Sequence, residues 1–170
     1  EFDNGAFGEL AVHELAARGR KHVLLIAPPA AQTYSQHMIY GTRKGAADCG
    51  VKVTLADPIT SDTQIDDVVD YVETTLRNNP EIDAIVTAST SSAMGAVAGL
   101  EKTGAQVGRE IDVSTKEAIP FLKLFRADIL TTTEKVGAAG EFLARAAIQA
   151  IRSPLTTPMQ HLEIPSAQDS

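Results

Sequence analysis

Apolar residues along this chain fall into short continuous runs, separated by stretches in which they recur every three or four positions. The runs HVLLIA (22–27) and DAIVTA (83–88) lack polar alternation, which suits strands covered on both faces of a parallel sheet. Residues 51–56 alternate instead, with Val51, Val53 and Leu55 against Lys52 and Thr54, the pattern of a less covered, edge-like strand. Weaker strands are predicted over 111–114 and 129–132. Helical spacing begins early: Phe7, Leu10, Ala11 and Leu15 mark a helix over 4–18, capped by Asp3 or Asn4 and stopped by Gly19. A second helix is predicted over 34–48, closing at Gly50. Over 61–76, Ser61 and Gln64 have capping-box spacing, and Ile65, Val68, Val69, Val72 and Leu76 form one stripe. Further helices are predicted over 91–103, over the short stretch 121–125 behind Pro120, and over the Ala-rich 134–152. Residues 159–164 read as extended and 166–170 as a frayed end.

Strands alternating with helices of this length imply parallel βαβ units, with right-handed crossovers placing helices on both faces of one sheet. A buried first strand beside an edge-like second one fits a flavodoxin-like strand order, 2-1-3-4-5. The expected fold class is therefore α/β, a flavodoxin-like parallel sheet with helices on both faces.

Composition narrows the function classes. With 170 residues, 44% hydrophobic and 22% charged, the chain can bury a sizeable core and does not read as disordered. A net charge of -7 argues against gripping a phosphate backbone. No apolar run reaches membrane-spanning length, and no signal peptide opens the chain, which starts on Glu1 and reads as a fragment. The single cysteine, Cys49, fits a reducing cytoplasm, the expected location. His13, His22, His37 and His161 show no metal-ligand spacing, and Asp62, Asp66, Asp67 and Asp70 lack the spacing of a calcium loop. No metal, cofactor or catalytic residue is expected. No nucleophile–base pair or nucleotide-binding motif stands at a strand–helix junction, so an enzyme is the least favoured class.

Three stretches carry a family resemblance. DNGAFGELAVHELAARGRKHVLLIA, with Asp3, Asn4, Gly8, Ala11, Leu15 and Gly19 in register, resembles the LacI/GalR pattern of a helix leading into an apolar strand. DAIVTASTSSAMGAVAGLEKTGAQVGREIDV is similar to that family's strand, polar turn, helix and following strand, through Ala93, Gly95, Leu100, Gly104, Val107, Gly108, Ile111 and Val113. ILTTTEKVGAAGEFLARAAIQAI is similar to the crossover strand and returning helix, with Gly140 in place. Together they cover nearly the whole chain in order. The resemblance implies one lobe of a two-lobed, periplasmic-binding-protein-like fold with an effector cleft between the lobes. Residues 20–133 would form this lobe, 1–19 and 134–152 would be helices packing on the other lobe, and 153–170 the C-terminal strand and tail.

In open α/β sheets ligands sit beyond the C-terminal strand ends. By family position the cleft-facing residues are Asp3, Ser89 and Glu117. Met38 stands where relatives commonly carry an effector-binding Arg, three residues before Gly41. Lys116 and Glu117 read either as ligand contacts or as a solvated pair. The turn containing Ser89 and Ser91 reads as helix capping or, less favoured, as an anion cradle. PFLKLF is too apolar for a short helix to hide alone. Phe121, Leu122 and Phe125, with Met94 and Val97 of the preceding helix, are the expected homodimer interface, as the resemblance also implies. The function expected is the effector-sensing and dimerisation module of a bacterial transcription regulator, contacting operator DNA only through a headpiece outside this chain. The effector would be small and polar, with a sugar-like ligand among the candidates. The alternative is the solute-binding protein of a transporter.

Overall fold

The computed structural model describes residues 1–117 and 122–167. Helix α1 (Asn4–Ala17) leads into β1 (His22–Ile26), then α2 (Thr33–Cys49), β2 (Lys52–Leu55), α3 (Ile65–Asn78), β3 (Ala84–Thr87) and α4 (Thr90–Lys102). After these come β4 (Asp112–Glu117), the short α5 (Leu122–Phe125), β5 (Leu130–Thr133), α6 (Val136–Arg152) and β6 (Ser166–Ala167). The sheet order is β2-β1-β3-β4-β5-β6. The first five strands are parallel in the order expected, and β6 adds antiparallel to β5 through Thr132↔Ala167 and Thr133↔Ser166. The frayed end expected over 166–170 thus begins as a strand, while 159–164 contributes only a bridge between Glu163 and Phe2.

Side-chain alternation along β1 splits the core in two. Leu24 and Ile26 face α3 and α4, joining Val68, Val72, Leu76, Ile85, Val97, Leu100 and Val113. Val23 and Leu25 face α1 and α2, joining Phe7, Ala11, Val12, Leu15, Met38 and Val86. Each fully buried apolar side chain contributes roughly 1.5–3 kcal/mol. This second cluster packs α1 on this sheet, with Phe7, Ala11, Val12 and Leu15 at 0% exposure. Its approach to α2 is close because glycines line both sides. A Cβ on Gly8 would meet Met38 O at 2.6 Å, and one on Gly41 would meet Gly5 O at 1.9 Å.

Helix α3 starts later than its capping-box spacing implied. Gln64 is the N-cap and makes no side-chain cap bond. Ser61 is buried in the preceding turn instead, its N–H donating to Ala27 O at 2.9 Å. The edge strand β2 keeps Val53 half-buried, whereas Leu55 is exposed. The N-terminal end of the sheet is held by Asp112, wholly buried, whose carboxylate accepts from Arg18 Nε (3.0 Å), Arg18 Nη2 (3.1 Å) and Arg20 Nε (2.6 Å). Burial alone would raise the Asp112 pKa, but the two guanidinium groups outweigh it and hold the carboxyl below its usual range.

Helix α6 differs from the others in burying none of its residues. Leu143, Ile148 and Ile151 are exposed along it. Among the described residues no helix is long and apolar enough to cross a membrane.

Candidate functional site

A cavity of about 590 Å³ opens at the C-terminal ends of β1, β3 and β4. Its floor is the turn after β3, with Ala88, Ser89 and Thr90; one wall is the start of α2, with Thr33, Tyr34 and His37. Phe2 and Asn4 from the α1 entry, Lys116 from β4 and Glu134 from the β5–α6 junction complete it. The lining therefore converges from five separate chain segments, as ligand sites at strand ends do.

Lys116 is the centre of the charged wall. Its ammonium donates to Asn4 Oδ1 at 2.8 Å, lies 2.6 Å from Glu134 Oε1, and sits 5.7 Å from the centre of the Phe2 ring. Both charged side chains are largely buried, at 19% and 6% exposure. The contact with Glu134 is an ion pair by distance, in which that buried oxygen accepts no hydrogen bond of good geometry. Tyr34 also lines the cavity; burial, with the nearby Asp62 carboxylate, raises its pKa.

Ser89 borders the cavity and is also the N-cap of α4. Its Oγ accepts from Ser92 N at 3.2 Å and donates to Ser61 O at 2.9 Å. Capping is thus its structural role, the favoured of the two readings. Ser91 points to solvent beside it, 3.1 Å between hydroxyls, and does not line the cavity. Asp3 caps α1, its Oδ1 accepting from Ala6 N at 2.8 Å, and its neighbours Phe2 and Asn4 face the cavity in its place. Met38 is 1% exposed in the α1–α2 core and offers the cavity nothing. One residue earlier on the helix, a rotation of about 100°, His37 lies on the cavity wall. Glu117 closes β4, but its side chain lies outside the described residues.

The apolar surface divides similarly. Val97 (2% exposed) and Leu122 (0%) belong to the core under α3 and α4, so neither is available to a partner. Met94 is exposed at 37% and Leu124 at 79%. Phe121 and the side chain of Phe125 lie outside the described residues. One grouping was not visible in sequence spacing: Glu9, His13 and Asp48 place ligand atoms within 4.8 Å of one another across α1 and α2. Lys44 pairs with Glu9 and lies 3.8 Å from Asp48, so the local positive charge there is already a lysine.

The family of periplasmic binding proteins and sugar binding domains of the LacI family matches residues 1–155. The chain belongs to that family. No curated protein matches it closely enough to add a narrower assignment. Among solved structures, a transcriptional regulator CelR–cellobiose complex superposes with a TM-score of 0.83 at 19% identity, over 99% of this chain and 51% of that one. A LacI-family regulatory protein from Chloroflexus aggregans gives 0.82 at 16% identity, over 98% and 60%. The Caulobacter myo-inositol binding protein, bound to myo-inositol, gives 0.83 at 19% identity, over 100% and 59%. At these identities the likeness is one of fold, a periplasmic-binding-protein-like α/β fold. The chain spans between half and two thirds of each of these structures. The family is one of ligand-binding and regulatory domains rather than enzymes.

Proposed function

We propose that this chain is the effector-sensing lobe of a LacI-type transcription regulator, taking a small hydroxylated ligand in the cavity at the strand ends. The observation that carries the reading is the convergence of Tyr34, His37, Asn4, Lys116 and Glu134 on one cavity where this sheet class binds ligands. Donors, acceptors and two aromatic faces together suit a polyol or sugar.

The exposed apolar face of α6 supports a second lobe closing over this one. Phe142, Leu143, Met159 and Leu162 border a further cavity of about 800 Å³ beside Phe2. Apolar surface of that extent is seldom left open to water. The α1 entry and the segment around Glu163 run side by side, Asp3 N donating to Glu163 O and Glu163 N to Glu1 O, both at 2.8 Å. That paired connection would serve as the hinge. Met94 and Leu124 would contribute to a two-fold dimer interface, and operator DNA would be contacted by a separate headpiece. Ligand favouring one lobe arrangement then shifts operator affinity by linkage. The protein would act in the cytoplasm.

A transport solute-binding protein is the second reading, favoured by the equally close superposition on the myo-inositol binding protein. Operator binding by the full-length protein, measured by fluorescence anisotropy with and without saccharides, separates the two. Ligand-dependent release from or capture by a specific DNA site supports the regulator. Saccharide binding with no DNA affinity supports the transport protein instead.

A further inference from the structure

The chemistry of the cavity wall narrows what it can hold. Among the described residues that line it, Lys116 is the sole lysine or arginine, and its charge is already matched by Glu134 at 2.6 Å. We propose that the Lys116–Glu134 pair is a charge filter, with Glu134 the specificity-determining residue. The cavity takes an uncharged hydroxylated ligand and rejects its carboxylate or phosphate counterpart. The inference rests on the reading of this cavity as the ligand site.

An anion entering here gives up its hydration, and the one cationic side chain among the described lining residues is already matched. The lysine cannot supply one, because Glu134 is 94% buried beside it and has nowhere in water to turn. The approaching anion meets a fixed carboxylate as closely as a fixed ammonium. A hydroxyl group meets the reverse situation. The Lys116 ammonium has three N–H donors, of which one is spent on Asn4 and another faces Glu134, leaving the third for a ligand oxygen. A ligand hydroxyl can therefore accept from Lys116 without disturbing the pair. The hydroxyls of Thr33, Tyr34, Ser89 and Thr90 add neutral partners around it. The Phe2 ring supplies an apolar face for a ligand's carbon skeleton.

The test uses the full-length protein and matched probes: glucose with glucuronate, galactose with galacturonate, and inorganic phosphate. Affinities are read by isothermal titration and by ³¹P line broadening. Wild type is expected to bind the neutral member of a pair at least about tenfold more tightly than the acid, and not to bind phosphate. Glu134→Gln should shrink or invert that ratio by about tenfold or more and admit phosphate, because Lys116 is then unmatched. The double variant Lys116→Gln with Glu134→Gln should lose the phosphate binding again, which keeps the test independent of the single variant. Acid binding as tight as neutral binding in wild type, or an unchanged ratio in Glu134→Gln, would overturn the filter while leaving the ligand site standing. Failure of every probe to bind wild type and variants alike would overturn the ligand-site reading and the filter with it.

Discussion

Replacing Gly41 by alanine tests how the α1–α2 layer is built. The added Cβ would stand 1.9 Å from Gly5 O, 2.6 Å from its carbonyl carbon and 2.8 Å from its Cα, all backbone atoms. Restoring ordinary contact requires the helices to part by about 1.5 Å. No rotamer change relieves a clash between backbone and Cβ, so the separation opens the layer that buries Phe7, Ala11, Val12, Leu15 and Met38. Overpacking of this kind costs about 1–3 kcal/mol and sometimes more. Alanine returns about 1 kcal/mol of helix propensity. A net loss of about 2 kcal/mol is expected, because the fixed backbone places the clash at the upper end of that range. In urea unfolding followed by far-UV circular dichroism, that lowers the midpoint by about 1 M. The same change at Gly137, where a Cβ meets nothing within 4 Å, should instead stabilise the chain by up to about 1 kcal/mol. A Gly41→Ala midpoint equal to or above wild type would refute the close-packing argument.

Asp112→Asn should destabilise the chain by on the order of 3 kcal/mol, since it strips the negative partner from Arg18 and Arg20 at a buried site. Because the folded Asp112 carboxyl titrates below its ordinary range, its contribution is fully present above the unfolded value of about 3.9 and is lost as pH falls through the lower folded value. The gap between wild type and variant should stay constant from about pH 5 to 8 and close below about pH 4; a gap that widens in acid would contradict this. Met94→Asp and Leu124→Asp should each turn a dimer into a monomer by light scattering, since both side chains are exposed and apolar. An unchanged mass would remove that face from consideration as the interface.

Much of the fold was legible because parallel strands covered on both faces leave an unmistakable trace. HVLLIA and DAIVTA are core on both sides, and the alternating 51–56 segment is the sheet edge. The misplacements have local causes. Ser61 has capping-box spacing to Gln64, but its backbone is engaged by Ala27 before the helix starts. Val97 and Leu122 are apolar at positions where core and interface look alike, and only their burial in the core shared with α3 and α4 residues assigns them inside.

The cavity was legible as a place rather than as a residue set. Strand ends located Ser89 and Lys116. The family resemblance puts Met38 in the cleft, yet that face of α2 is the one pressed on α1, and His37 faces the cavity. Glu134 had no signal of its own: its meaning comes from Lys116, and the β4–β5 pairing brings the two together from 18 positions apart in the chain. Phe2 and Asn4 were likewise obscured by the stronger capping signal of Asp3 between them.

The most direct test of the central claim is a crystal structure of the full-length protein with its bound saccharide. The ligand is expected at the C-terminal strand ends, with Tyr34 and Phe2 against its carbon skeleton and its hydroxyls on Asn4 and Lys116. A ligand seated elsewhere on the lobe, with those side chains untouched, would contradict it.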